Sequence, residues 1–356
     1  MKEENKEFRI EEPLKLYSNE IVFAGHPDKV CDQISASLLQ FYVDNDPDTR
    51  AGIETAGGKG IIFVTGEVSS TFKAKKKDLK EVVRSVLRRY NYDTKKYKII
   101  INLSMQSRDI AMGVDKGGAG DQGMMFGYAC RETYHLLPKA MVILQEFARW
   151  YEEFRNLDSS YGADGKAQIT GYYDKFWKLT RIKTFLVSYQ NDEEPGTRWV
   201  GDKQIKAKIE ELCATYKVKC DEILINPTGK FKIGGFEGDA GLTGRKIVVD
   251  AYQSFANVGG GCMNGKDATK VDFSAAHKAR QLAIRYLKQY KLTWCEVQLS
   301  YAIGVAQPLA IYIRSNKGNI TADDSVYKEC EPRNIINDLK LKQIDYVQLA
   351  RYGHFW

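Results

Sequence analysis

A glycine-rich, basic stretch in the second half of the sequence carries its clearest chemistry. The segment from Gly234 to Gly244 holds five glycines, encloses Asp239 and runs directly into Arg245 and Lys246. Glycine lets a backbone approach a ligand closely, and bare N–H groups flanked by cations suit a polyphosphate. A hairpin with a solvated basic tip has the same composition, so this stretch alone leaves both interpretations open.

A second charged motif, Gly25-His26-Pro27-Asp28-Lys29, stands directly before apolar residues at helical spacing. Proline at the first helical position and an acid in the first turn are typical of a helix start. His26, Asp28 and Lys29 are therefore predicted at a helix N-terminus, which binds anions and where a carboxylate can hold a hard cation. An ordinary capping sequence is the alternative.

A third candidate site follows further along the chain. The run from Gly260 to Lys266 nearly fits a phosphate-binding P-loop, but Asp267 stands where that loop needs the hydroxyl of Ser or Thr. Lys266, Lys270 and Asp272 crowd the start of the next predicted helix, which again favours an anion site.

The sequence argues against several reaction classes. It contains no serine in G-x-S-x-G, no H-E-x-x-H and no C-x-x-C. Residues 118–123 match G-x-G-x-x-G, but no strand leads directly into them and the following MMFGYAC is not a helix start, so a dinucleotide fold is rejected. The remaining lysines, arginines and aspartates in glycine turns fit reactions driven by positioning and charge neutralisation.

Composition indicates the kind of ligand, the state of the thiols and the cellular location of the protein. The 356 residues include 53 basic and 46 acidic side chains, a net charge of +7 that suits small anions at least as well as nucleic acid. Seven cysteines, an odd number without close pairs, predict reduced thiols and no zinc site. The charged start and the lack of a long apolar run predict a soluble, cytoplasmic protein with no membrane contact.

Strands and helices alternate along the chain, which predicts an α+β fold. A rhythm of strands, a Gly-Asp turn and a helix recurs, most clearly at Gly120-Asp121 and Gly238-Asp239. The predicted elements are strands within 51–69, 97–103, 184–189 and 295–314, helices at 77–90, 138–155, 205–215 and after 270, a polar connector at 156–170, and a mobile loop at 104–117.

Together these motifs resemble the S-adenosylmethionine synthetases, also called methionine adenosyltransferases. The resemblance spans about residues 15–355 and rests on five blocks in family order: 25–29, 118–129, 226–250, 259–272 and 300–308. It implies an α+β fold of three interleaved units, each a mixed sheet backed by helices, in a pseudo-threefold arrangement. The implied units are 15–110, a shortened middle unit at 117–233, and 234–356.

The resemblance also implies a reaction. Methionine sulfur would attack C5′ of ATP and expel triphosphate, which is then cleaved to pyrophosphate and phosphate. Mg²⁺ and K⁺ are the implied cofactors. The implied assembly is a homodimer with shared active sites, or a tetramer built from such dimers.

Single residues receive roles by the same resemblance. Catalysis is assigned to His26, Lys183, Arg245, Lys266 and Lys270, although Lys183 lies one residue out of register with the strand that follows it. ATP binding is assigned to His26, Asp121, Phe231, Asp239, Arg245, Lys246, Cys262 and Lys266. Methionine binding is assigned to Glu67, Gln106, Asp239 and Lys270, magnesium to Asp28 and Asp272, and potassium to Glu54.

Some positions depart from the family pattern. Near the nucleotide these are Ala24, Gln253, Phe255 and Val258; in addition the loop before Gly118 is shorter, and residues 190–222 are expected to lack a strand. Two other functions therefore stay open: a divergent homologue that acts on another nucleotide or thioether, or on polyphosphate alone, and a silent nucleotide-binding regulatory subunit. The silent subunit should have lost its charged site residues, but this chain retains them.

Overall fold

Three four-stranded sheets and nine α-helices make up the part of the chain that the computed structural model describes, residues 14–105, 117–192 and 195–356. The first unit contains β1 (Lys15–Val22), α1 (Pro27–Asn45), β2 (Arg50–Gly58), β3 (Ile61–Ser69), α2 (Lys76–Arg89) and β4 (Lys98–Ser104). The middle unit contains β5 (Gly123–Cys130), α3 (Lys139–Phe154), β6 (Tyr161–Tyr173), β7 (Leu179–Asn191), α4 (Pro195–Thr215) and β8 (Lys219–Ile225). The third contains β9 (Gly241–Leu242), α5 (Ile247–Asp250), α6 (Val271–Gln289), β10 (Trp294–Tyr301), β11 (Ala310–Ser315), β12 (Gly318–Ile320), α7 (Asp324–Glu329), α8 (Pro332–Asp338) and α9 (Tyr346–Tyr352).

The first strand of each unit is exchanged into the sheet of another unit. Strand β1 pairs with β6, β5 pairs with β10, and β9 pairs with β2. The exchange therefore runs in a cycle, from the first unit to the second, from the second to the third, and from the third back to the first. This connectivity confirms three interleaved α+β units with a threefold pattern, while the predicted boundaries near residues 110 and 234 stay a prediction.

The same ladder recurs in the first two sheets. Each has an exchanged antiparallel strand, an antiparallel hairpin, and a last strand that is parallel because a helix carries the chain back across the sheet. The third sheet is antiparallel throughout, since β12 follows β11 through a tight turn. The repeated Gly-Asp pairs stand directly before the exchanged strands β5 and β9.

The helix α1 shows why the repeated pattern forms a core. Its Pro27 takes the first helical position, His26 caps it, and Val30, Ile34 and Leu38 are fully buried against the first sheet and the C-terminal helix α9. Each unit places one such buried helix before its hairpin. None of the helices among the described residues is long and apolar enough to cross a membrane.

The predicted elements at 51–69, 77–90, 97–103 and 138–155 are confirmed within a few residues. The connector at 156–170 is wrong, because most of it belongs to the 13-residue strand β6. Its glycines serve packing: a Cβ at Gly162 or Gly165 would meet Gln190 or Phe23 within 2.5 Å. The prediction that residues 190–222 lack a strand is also wrong, because β8 begins at Lys219 and completes a four-stranded sheet. Most of the predicted mobile loop lies outside the described residues.

The close packing of β5 on α6 gives a test of the core. A Cβ at Gly127 would lie 2.0 Å from the carbonyl carbon of Ala279 on the helix backbone, which cannot move aside as a side chain can. We expect Gly127→Ala to lower the free energy of unfolding by about 1–3 kcal/mol, seen as a lower thermal midpoint. The matched control is Gly58→Ala, where nothing lies within 4 Å. Equal midpoints for the two variants would contradict this packing.

Candidate active site

The first group of candidate residues is built around a fully buried carboxylate at the N-terminus of α1. Asp28 accepts hydrogen bonds from Lys246 Nζ at 2.6 Å and from the Leu242 N–H at 2.9 Å, and Arg245 Nε lies 3.0 Å from its Oδ1. Burial alone would raise the pKa of Asp28, but the hydrogen bonds from Lys246 and Leu242 hold it below its usual value. The two basic residues therefore face an ionised acid and do not form a solvated hairpin tip.

His26 stands beside this carboxylate as a neutral donor. Its Nδ1 accepts from the Asp28 N–H at 3.2 Å, so the proton of the neutral ring is on Nε2. Burial, together with the nearby charges of Lys246 and Lys166, lowers the pKa of His26 to about 3. At neutral pH the ring can thus donate a hydrogen bond from Nε2 without carrying a charge.

The glycine-rich loop reaches this helix end by close backbone contact. A Cβ at Gly241 would lie 2.3 Å from the carbonyl oxygen of Pro27, so a larger residue would push the loop off the helix. Gly235 takes a left-handed φ of 61° and donates its N–H to Asp164 Oδ2 at 2.8 Å. The glycines thus fix the path of the loop that carries Asp239, which is exposed.

A second group lies at the N-terminus of α6. Lys266 makes an ion pair with Asp272, and Lys270 Nζ lies 3.2 Å from Asp267 Oδ2 and 3.9 Å from Glu67 Oε1. Four residues of the predicted set therefore meet here: Lys266, Lys270, Asp272 and Glu67.

Residues on the outer face of the first sheet lie beside this second group. Glu67 on β3 lies opposite Gly52, whose backbone is bridged to Lys266, and Glu54 points to the same face two residues along β2. Glu54 is exposed. Asp121 stands two residues before Gly123, the first residue of β5, and Gly123 is close to this group because a Cβ there would lie 3.8 Å from Asp272 Oδ1.

The charged residues of the predicted site form two groups in a single chain. Asp28 holds Arg245 and Lys246, whereas Asp272 holds Lys266. Cys262 lies between them: a Cβ at Gly244 would meet the Cys262 side chain at 2.9 Å, and Lys266 acts on its pKa. Burial raises the pKa of Cys262, so it is a neutral thiol.

The remaining predicted residues lie in the middle unit or outside the described residues. Lys183 is exposed at a β-bulge of β7, where Thr184 pairs with Thr170 of β6 and Ile182 with Gly171. The carbonyl of Phe231 accepts from the Asn191 N–H at 3.0 Å, in the loop after β8. Gln106 lies outside the described residues.

Sequence reasoning missed a lysine that is better placed than Lys183. Lys166 lies on β6 opposite Val22 of β1, close enough to His26 to lower its pKa. Lys183 lies on the neighbouring strand β7 next to the position that pairs with Thr170. Lys166 is four residues before Thr170, so the two lysines are about 13 Å apart along the strands. The signal was the Asp-Gly-Lys run at 164–166 followed by strand alternation, which was hidden by the prediction of a connector there.

The described residues contain no group of three or more His, Cys, Asp or Glu side chains that could enclose a metal ion. Mg²⁺ does not need one, because it binds through one or two carboxylates, water and substrate phosphates. Asp28 and Asp272 are hard oxygen donors whose charge is now balanced by lysines. The donor set therefore fits Mg²⁺ held jointly with a phosphate.

The cyclic exchange of strands among three four-stranded sheets defines a three-unit α+β protein. Three family models match it in order: the S-adenosylmethionine synthetase N-terminal domain over residues 15–112, the central domain over 116–231 and the C-terminal domain over 233–356. The chain therefore belongs to the S-adenosylmethionine synthetase family and is a transferase, a methionine adenosyltransferase. Substrates of the family are ATP and methionine, and its members use Mg²⁺ and K⁺.

The two lysines of the middle unit can be separated by experiment. We expect Lys166→Met to weaken binding of inorganic tripolyphosphate in the presence of Mg²⁺ about tenfold or more, because a cation near His26 is lost from a partly dry site. Lys183→Met should change the affinity less than about twofold. Isothermal titration calorimetry measures both. A larger loss in the Lys183 variant would restore Lys183 as the phosphate ligand.

Proposed function

We propose that the chain joins ATP and L-methionine to S-adenosylmethionine by attack of sulfur on C5′, and then hydrolyses the expelled triphosphate to pyrophosphate and phosphate. The observation that carries this proposal is Asp28, a buried carboxylate that holds Arg245 and Lys246 beside the neutral ring of His26. Cations and one neutral donor at a helix N-terminus suit a polyphosphate leaving group.

The chemistry needs no base on the protein. A thioether is already a neutral nucleophile and has no proton to lose, so the barrier lies in the departure of triphosphate. One cation at 4 Å contributes about 4 kcal/mol at an effective dielectric constant of 20 and about 1 kcal/mol in water. Several cations in a closed site therefore supply much of the required stabilisation.

The residues take the following roles in this reaction. His26 donates from Nε2 to the oxygen that leaves C5′, since its Nδ1 is already occupied by the Asp28 N–H. Arg245, Lys246, Lys266 and Lys270 face the phosphates, and Lys166 replaces Lys183 among them. Asp121, Phe231, Asp239 and Cys262 surround the nucleoside, and Glu67, Gln106, Asp239 and Lys270 hold methionine.

Cations complete the site. Asp28 and Asp272 would hold Mg²⁺ together with phosphate oxygens, and Glu54 would hold K⁺. The chemistry that Mg²⁺ would supply when bound is neutralisation of the charge that develops on the leaving triphosphate. The protein contributes the two carboxylates, which form ion pairs with Lys246 and Lys266 in the free protein. When phosphate binds, these lysines would pair with phosphate oxygens.

Two copies of the chain would bring the two groups of residues together. On the open face of the first sheet an apolar row runs across four strands, Leu242–Ala56–Phe63–Ile100, beside a polar row that contains Glu54. Leu242 and Ile100 are 42% and 36% exposed, so the apolar row is open to water in a single chain. A dimer that covers this face would bury the row and enclose Glu54 and Glu67, with a tetramer as a further stage.

The decisive assay separates this function from its alternatives. The protein is incubated with ATP, methionine, Mg²⁺ and K⁺, and S-adenosylmethionine is measured by mass. Formation of the product in molar excess over protein supports the proposal. Consumption of ATP without product favours a divergent substrate or polyphosphate hydrolysis, and nucleotide binding without turnover favours a silent subunit. The seven free thiols suit the cytoplasm, where we place the reaction.

Lys266 tests whether the second group acts on the leaving group. We expect Lys266→Ala to lower kcat about 100-fold or more, since it removes a fixed charge that stabilises the transition state. The dissociation constant for methionine should change less than about threefold. Lys317→Ala, at a surface turn, is the control for loss of one positive charge. An equal loss in turnover and methionine affinity would contradict the role of Lys266.

Ile100 tests the dimer. Ile100→Glu places a charge at the β4 end of the exposed apolar row, and we expect it to yield a monomer with at most about 1% of the wild-type turnover, because a buried unpaired charge disfavours association. Light scattering after size exclusion and the product assay measure the two effects. Leu157→Glu, at a residue that is 76% exposed outside this sheet, is the control. A fully active monomeric Ile100→Glu variant would refute the shared site.

A further inference from the structure

A chain of buried hydrogen bonds runs beneath the candidate site and ends in the C-terminal tail. Lys29 Nζ donates to Asp250 Oδ1 at 2.5 Å, Asn264 Nδ2 donates to Asp250 Oδ2 at 2.8 Å, and His354 Nε2 lies 2.8 Å from Asn264 Oδ1. His277 Nε2 lies 3.3 Å from His354 Nδ1 and closes the far end. Lys29, Asp250, Asn264 and His354 are each at most 5% exposed.

The direction of each hydrogen bond follows from the carboxylate. Asp250 can only accept, so Asn264 must turn its Nδ2 to Asp250 and present Oδ1 to His354. His354 therefore donates from Nε2 and accepts at Nδ1 from the Nε2–H of His277. Burial lowers the pKa of both histidines to about 3, so both rings are neutral. Every hydrogen bond from His277 to Asp250 therefore has one donor and one acceptor.

Each of three residues in the chain belongs to a different segment that carries candidate site residues. Lys29 follows Asp28 directly in α1, Asp250 ends the helix α5 that begins just after Lys246, and Asn264 precedes Lys266 by two residues. Both groups of site residues are thus tied to the same buried chain. His354 is its contribution from the tail.

The tail itself is held firmly in place. The His354 N–H donates to the Asp250 carbonyl at 2.9 Å, Gly353 takes a φ of 101°, and Phe355 stacks on Tyr252 with ring centroids 4.8 Å apart. These contacts fix the ring of His354, whose rotation would leave the amide oxygen of Asn264 buried without its donor.

We propose that His354 is a positioning residue for the phosphate-binding groups: through Asn264 and Asp250 it holds Lys29 and the three segments that carry Asp28, Lys246 and Lys266 in register. It touches no substrate. The inference rests on the proposed function for its kinetic readout, and on phosphate binding for a readout that does not need turnover.

The test compares two replacements of His354. His354→Gln keeps an amide N–H at the position of Nε2 and should keep kcat within about threefold of wild type, whereas His354→Leu should lower kcat about 10- to 100-fold, with the KM for methionine changed less than about threefold. If the Leu variant does not fold, His354→Asn, whose shorter amide does not reach Asn264, takes its place. Titration with Mg²⁺ and inorganic tripolyphosphate should show about tenfold weaker binding for the Leu or Asn variant, and near wild-type binding for Gln.

A matched control separates positioning from stability. Gln145 is buried and donates to the carbonyl of Tyr352, so Gln145→Met loosens the same tail without touching the chain of hydrogen bonds. We expect it to lower the thermal midpoint but to leave kcat and tripolyphosphate affinity within about twofold. Wild-type kcat and affinity in His354→Leu, or equal losses in Gln145→Met and His354→Leu, would overturn the inference. A wild-type protein that binds tripolyphosphate without forming product would refute the proposed reaction, while the binding ratios would still decide the role of His354.

Discussion

The ion pairs of Asp28 are the constraint on which the other features of this structure depend. An ionised carboxylate removed from water is strongly destabilising unless cations and N–H groups compensate it. Here the compensation comes from Arg245, Lys246 and the Leu242 N–H, more than 210 residues away along the chain. The glycine-rich loop therefore cannot leave α1 without exposing an uncompensated buried charge. The contact that holds the loop also gathers two cations at a helix N-terminus.

Strand exchange makes that contact possible. The two-residue strand β9 crosses from the third unit into the first sheet, and β1 crosses from the first unit into the middle sheet. Both exchanged strands stand next to α1: β1 leads into its N-terminus, and β9 lies against Pro27 through Gly241. Lys166 reaches His26 because β6 is the partner of β1. The first group of candidate residues is thus assembled from three units of a single chain.

The sequence predicts those structural features that are encoded by a few neighbouring residues. The GHPDK motif at 25–29 and the glycine-rich loop could be recognised because helix capping and glycine turns are encoded over a few residues. Which lysine lies near His26 could not be recognised in the same way. Lys166 and Lys183 both lie in polar strand segments, and only the pairing of β6 with β1 separates them. The division into two charged groups and the buried chain to His354 depend likewise on contacts between distant segments.

The resting pairs of the site explain how it could accept a highly charged ligand in the proposed reaction. Asp28 and Asp272 are each paired with a lysine in the free protein, so neither acid nor base is left uncompensated. With a polyphosphate and Mg²⁺ bound, the lysines would pair with phosphate oxygens, and Asp28 and Asp272 would hold the cation. Each lysine and each carboxylate would then still have a partner of opposite charge. This change of partners avoids the desolvation penalty of an isolated buried charge. Only a rigid scaffold permits this, because the partners must stay within a few ångströms while they change. In the proposed function, the interleaved sheets and the buried hydrogen bonds from Lys29 to His354 hold these partners in place.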